Sequence, residues 1–176
     1  MKRVTFIKGL VMTLALSCMS TMIHAQQASP AATAAGTING ANVTIKYHSP
    51  RVKGRQIYGT DLVPYGGKVW RAGANEATII ETDKDLMVGG KKLPAGKYSI
   101  YAIANPDSWV IIFNSQTGQW GINRDQSTTE DPAKDVIRVT VTPKKSAMMN
   151  ENLLYTINNN GFILSWENLD IPVWMK

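Results

Sequence analysis

The sequence is nearly without cysteine and histidine: Cys18 is its one cysteine, and His24 and His48 are its two histidines. A lone cysteine forms no intramolecular disulfide, so the fold must rest on a hydrophobic core. Zinc sites of the cysteine/histidine kind need about four such ligands and are excluded. The longest mostly apolar run, Gly9 to Ser20 (GLVMTLALSCMS), is shorter than the roughly 20 residues a membrane-spanning helix needs. No 3.6-residue period follows it, which argues against amphipathic helices, and no repeat of solenoid or propeller length occurs. Cofactor motifs and calcium-loop spacings are missing too, so no cofactor and no metal are expected. Asp125, Glu130, Asp131 and Asp135 read as a solvated loop.

What is present begins with a three-part start. Lys2, Arg3 and Lys8 precede the apolar run, and Ile23-His24-Ala25 offers a small residue at a cleavage position before Gln26. This predicts a signal peptide over 1–25 and export to the periplasm or beyond; lipidation through Cys18, after Leu16-Ser17, is the alternative. Removing Lys2, Arg3 and Lys8 from the 19 basic residues leaves 16 against 13 acidic ones, so the basic balance falls to +3. That is weak support for a nucleic-acid partner, and none is expected. Removing 25 of 176 residues leaves 151, enough to bury roughly 68–70% of the unfolded surface. Only His48 then remains as a histidine base. Its neighbour Ser49 would point to the opposite side of a strand, so their adjacency is no evidence for a dyad.

Residues 26–40, opening QQASPAATAAGT, are small and low in apolar content and read as a flexible lead-in. A single domain is expected over 41–176. Val43, Ile45 and Tyr47 alternate along Asn42 to Tyr47, a strand pattern. Further strands are predicted at Arg55 to Tyr58, Ala77 to Thr82, Lys97 to Ala104, Trp109 to Phe113 and Val136 to Thr142. Hairpins are predicted across Gly89-Gly90 and across Asn158 to Gly161, where Asn-Gly between apolar runs is a strong turn signal. Trp109 to Phe113 (WVIIF) is apolar on both faces, as a covered central strand would be. Eight or nine short strands with such turns predict an all-β, antiparallel β-sandwich.

The stretch LVPYGGKVWRAGANEAT, Leu62 to Thr78, concentrates the polar groups of interest. Glu76 stands at the mouth of an apolar strand; if buried there, its carboxylate needs a cation, and Arg71 and Arg55 are the candidates. Such a pair would make a structural corner, with Gly73 and Ala74 allowing close backbone approach. The functional alternative keeps Glu76 open in a cleft with Asn75 as donor and acceptor and with Trp70 or Trp120 as a flat face for a sugar ring. Glu76 is also the best candidate catalytic residue, as a general acid or base with Asp61 as second carboxylate. Arg51, Lys53 and Arg55 lie at spacing two, so an extended segment would place them on one face. They form either an anion-recognising edge or a charged edge that resists pairing with other chains.

The series SPRVKGRQIYG, LVPYGGKVWRAGANEAT, GGKKLPAGKYSIY, WVIIFN, QWG, VIRVTVTP and LSWE, taken in order along the chain, resembles the bacterial family catalogued as domain of unknown function twenty-nine-eleven. Ile122 after QWG departs from an aromatic expected there. The resemblance implies an exported single-domain protein and no particular activity. Three functional readings are open. The first is a non-catalytic binding module that recognises a glycan or an anionic small molecule of the envelope through Arg51, Arg55, Trp70, Arg71, Asn75, Glu76 and Trp120. The second is a small hydrolase built on Glu76. In the third the polar cluster is purely structural.

Overall fold

The computed structural model describes residues 29–176, and the expected signal peptide, with Cys18 and His24, lies outside them. The described residues form eleven strands and one 3-10 turn, Pro132–Lys134, with no α-helix. The antiparallel all-β, sandwich-like expectation is met, with more strands than foreseen.

The large sheet starts with a tight hairpin of β1 (Ala31–Ile38) and β2 (Ala41–His48), paired from Ala31↔His48 to Ile38↔Ala41. Asn39 (φ 46°) and Gly40 (φ 77°) form its turn, the two successive positive angles such a hairpin requires. For residues 31–40 this corrects the reading as a flexible lead-in, and 26–28 lie outside the described residues. The small residues are there for packing: a β-carbon on Gly36 would fall 2.9 Å from Ile157 Cγ2.

The rest of the sheet comprises β3 (Val69–Trp70), β4 (Thr78–Thr82), β7 (Gly96–Ile103), β8 (Trp109–Asn114) and β9 (Asp135–Val141). Its order is β1-β2-β4-β7-β8-β9, with the short β3 also pairing with β7. Between β4 and β7 stands the small hairpin β5 (Leu86–Val88) and β6 (Lys91–Leu93), predicted at that place. The apolar WVIIF run becomes β8, flanked by β7 and β9 and buried except for half-buried Val110. Arg55 to Tyr58 is not a strand, since Tyr58 makes only a single bridge, to Val63.

One face of this sheet is covered by a long hairpin, β10 (Lys144–Asn158) and β11 (Gly161–Trp174). Its aromatic residues meet those of the sheet: Phe162 packs on Phe113, Tyr155 on Tyr47, and Trp166 stacks on Trp70. Fully burying a large apolar side chain contributes about 1.5–3 kcal/mol, so each of these aromatic residues adds substantially to stability. The opposite face carries a smaller cluster, Ala77, Tyr101 and Ile112. The 115–131 connection closes over it, with Gln119 Nε2 donating to Tyr101 Oη at 2.7 Å and Thr129 Oγ1 3.1 Å from the same oxygen. The β10–β11 pairing is broken twice. One residue of β11 opposes four of β10 between Lys145↔Leu169 and Asn150↔Glu167, and one opposes three between Asn150 and Leu154. Such bulges bend a strand and re-aim its side chains, and the second frees Glu151–Leu153 to hold a loop described below.

Candidate functional site

Two segments build the site. The first, Pro50 to Arg55, leaves β2 and is pinned to β10: Val52 N donates to Glu151 O at 2.8 Å, and Leu153 N to Pro50 O at 2.9 Å. The Glu151 carboxylate accepts from Lys53 N at 2.9 Å. Lys53 (φ 48°) and Gly54 (φ 67°) then turn the chain. The segment is therefore not extended, and the spacing-two argument for one shared face fails. Arg55 folds back over this turn, Nε donating to Val52 O at 3.1 Å and Nη2 to Arg51 O.

The second segment is the corner Arg71 to Ala77, between β3 and β4. Ala72 (φ 51°) and Asn75 (φ 57°) are both left-handed. Ala72 O accepts from Thr78 Oγ1 at 3.0 Å and Tyr155 Oη at 2.7 Å, and both bonds are buried. Gly73 is required because a β-carbon there would lie 2.7 Å from Thr78 Oγ1. Asn75 O accepts from Gly121 N at 3.3 Å and from Arg71 Nη1 at 3.1 Å, which fixes the guanidinium. Burial pushes the Arg71 pKa below the usual arginine value, and the charge of Glu76 partly opposes this.

Between the two segments, and closed by residues 122–128, lies a cleft of about 1060 Å³. It brings together Arg51, Arg55, Trp70, Arg71 and Asn75 of the predicted set, and adds Lys53, Lys68, Asp61 and Asp125. Its cationic side chains are thus Arg51, Lys53, Arg55, Lys68 and Arg71, against two carboxylates. Among the described residues the ion pairs involve His48, Lys92, Lys97 and Arg138, and none of the cleft's five cations. The Asp125 carboxylate is taken up by Ser127, accepting from N at 3.0 Å and Oγ at 2.6 Å; the side-chain bond leads the causes that lower its pKa.

Glu76 and Trp120 do not join the cleft. The two residues bridge each other through the backbone, and Trp120 is 52% exposed on the outside. The Glu76 side chain is 54% exposed and lies 3.1 Å from His48 Nδ1, so it is neither buried nor paired with Arg71 or Arg55. The corner is held by backbone carbonyl bonds instead. Glu76 lines a separate depression of about 220 Å³ with His48 and Lys46. Asp61 and Glu76 therefore face different cavities, and the geometry offers them no shared substrate position. Trp70 is only 7% exposed, because Trp166 stacks on it at 6.2 Å and 10° and Trp109 meets it edge-on. It forms part of the floor and cannot serve as an open stacking face.

No group of three or more histidine, cysteine, aspartate or glutamate residues among those described could hold a metal ion. Asp125 is exposed, as a solvated loop requires, but for Glu130 and Asp135 that expectation is corrected. Asp131 caps the 3-10 turn. The side chains of Glu130 and Asp135, 3% and 9% exposed, flank Arg138, which donates to Glu130 Oε1 at 2.8 Å and Asp135 Oδ2 at 2.6 Å.

Sequence reasoning missed Lys68, the 122–128 wall and Trp166. Lys68 was legible beside Gly66-Gly67 in the polar stretch. The other two come from distant parts of the chain, and only the topology brings them there.

Residues 29–175 match the family model described as Protein of unknown function (DUF2911), while no curated protein and no solved structure matches. The match covers nearly all the described residues, and the chain belongs to this family.

Proposed function

We propose that the protein is a non-catalytic binder of an anionic ligand, held in the cleft between Arg51–Arg55 and Lys68–Arg71. The observation that carries this is the charge balance: five cationic side chains line one cleft and none is paired with a carboxylate. Clustering like charges costs folding energy, and a protein that keeps them gathered in a concave site offers electrostatic complementarity to an anion. Arginines supply bidentate donors for carboxylate, sulfate or phosphate.

Backbone strain gives independent support. Of six non-glycine residues with positive φ, Lys53, Asn75 and Gln126 line the cleft, while Ala72 and Glu167 neighbour residues that do. Lysine, alanine and glutamate are poor choices for this conformation, at about 1–2 kcal/mol each, and such strain gathers at functional sites.

A neutral glycan is the less favoured ligand. The exposed tryptophans, Trp120 and Trp174, lie outside the cleft, and Trp70 and Trp166 within it are buried. In an exported protein the ligand would be an anionic component of the envelope. The test is a thermal-shift titration with sulfate, phosphate, citrate and a hexuronate beside a neutral hexose. The anions should raise Tm in a saturable way and the hexose should not. Arg71→Ala and Arg55→Ala should each weaken the response about tenfold. Equal responses in wild type and both variants would refute the reading.

A further inference from the structure

The cleft is larger than one small anion needs, and its charges are divided between two walls. Arg51, Lys53 and Arg55 stand on a turn fixed to β10, whereas Lys68 and Arg71 flank β3. These anchors are independent, so the walls have no evident means of collapsing onto a single ion. Arg71 is held in place: Nη1 is bound to Asn75 O, and its aliphatic stem lies against Gly121. A lone sulfate or phosphate would satisfy one wall and leave the other uncompensated. Five cations face two carboxylates, Asp61 and Asp125, so the complement is about three negative charges set apart from one another. Between the charged positions the lining joins apolar Leu62, Pro64 and Val69 to the hydroxyls and amides of Asn75, Gln126, Ser127 and Thr128. An inorganic chain has nothing to place against the apolar side chains, but a sugar has its C–H faces. At about 1060 Å³ the space lies just above the roughly 300–1,000 Å³ typical of small-ligand sites.

Resting on the anion-binding reading above, we infer that the ligand is an acidic oligosaccharide, with carboxylate or sulfate groups on more than one sugar unit spanning both walls. The probes are galacturonate oligomers of one to four units, titrated calorimetrically into the protein at fixed ionic strength. Their methyl esters, inorganic phosphate and linear polyphosphate serve as comparisons. Affinity should rise at least tenfold from monomer to trimer, weaken as salt is added, and vanish on esterification. Lys68→Ala should cost the trimer about tenfold while changing monomer affinity much less. Lys68 is exposed, so its variant tests the second wall without risk to folding.

A sulfated oligosaccharide outperforming the uronates would still support the inference, as it identifies which acid the sugar carries. Monomer or inorganic phosphate binding as tightly as trimer would overturn the inference and leave the anion-binding reading intact. Polyphosphate matching the uronate trimer would overturn the sugar assignment. Binding of none of these anions would overturn both.

Discussion

Arg71 lies across Gly121 so closely that a β-carbon on the glycine would stand 2.6 Å from both Cβ and Cδ of the arginine. Gly121 N and Arg71 Nη1 also donate to one acceptor, Asn75 O. The glycine therefore sets where the guanidinium sits. Gly121→Ala should push Arg71 off this position and weaken anion binding about as much as Arg71→Ala does. Overpacking of this kind costs about 1–3 kcal/mol, and each kcal/mol lowers Tm by about 2–4 °C at this size. Binding titration together with a melting curve checks both effects. Unchanged affinity in Gly121→Ala would mean that Arg71 is not an anchoring contact.

Glu76 leads to the opposite expectation. Its partially exposed contact with His48 belongs to the class worth about 0–1 kcal/mol. Glu76→Gln should lower Tm by no more than about 2–4 °C and leave affinity in the cleft within about twofold. A large drop in Tm would show that the corner depends on this carboxylate, and a large loss of affinity would place it in the binding site.

These two residues show where sequence was informative. Composition picked out the right stretch, because glycine, arginine and asparagine together signal a tight polar corner, and such a corner is present. Which partner each charge finds depends on chain segments far away in sequence. Glu76 meets His48, 28 positions earlier, and Arg71 meets Gly121, 50 positions later. The strands were legible wherever one face is apolar, as in β2 and β9. In β1 low apolar content was mistaken for flexibility, although alanine and glycine there admit the close approach of Ile157. The same reading overlooked Asn39-Gly40, where both residues take positive φ, and credited Asn160-Gly161, where only the glycine does.

The two hairpin glycines should respond very differently to alanine. Gly40 has open space around its missing β-carbon, so Gly40→Ala pays only for its positive φ, about 1–2 kcal/mol. At Gly161 (φ 138°) a β-carbon would lie 2.0 Å from Val173 O, a backbone atom with little room to move. Gly161→Ala should cost on the order of 3 kcal/mol or more, or prevent folding. Denaturant melts of both variants test this, and equal losses would show that the end of β11 does not pack there.

The Glu130–Arg138–Asp135 cluster should appear in the pH dependence of stability. Burial first, then the neighbouring Asp135 charge, hold the Glu130 carboxyl above its ordinary pKa, with Arg138 opposing. A carboxyl raised on folding contributes stability that is present below its unfolded pKa and is lost as pH rises through its folded pKa. The Tm of Glu130→Gln relative to wild type should therefore climb as pH rises from acid toward neutral. Melting curves at several pH values check the slope. A variant Tm that falls relative to wild type as pH rises would mean that the Arg138 bond outweighs burial.

The carbonyl of Ala72 links the core to the cleft. It accepts from Tyr155 on the covering hairpin and from Thr78 on the sheet, both buried, while Ala72 itself is strained. Removing one donor leaves the other in place, so Tyr155→Phe and Thr78→Val should each cost about 1 kcal/mol. Removing both leaves a buried carbonyl without a partner, at a penalty of about 1–3 kcal/mol for that group. The double variant should therefore fall below the sum of the singles by about 1 kcal/mol or more, a coupling that a double-mutant cycle reads directly. Ala72 also sets the direction of Arg71, so the double variant should lose anion affinity that neither single variant loses. Additive stabilities with unchanged affinity would show that the corner holds its shape without these two hydroxyls.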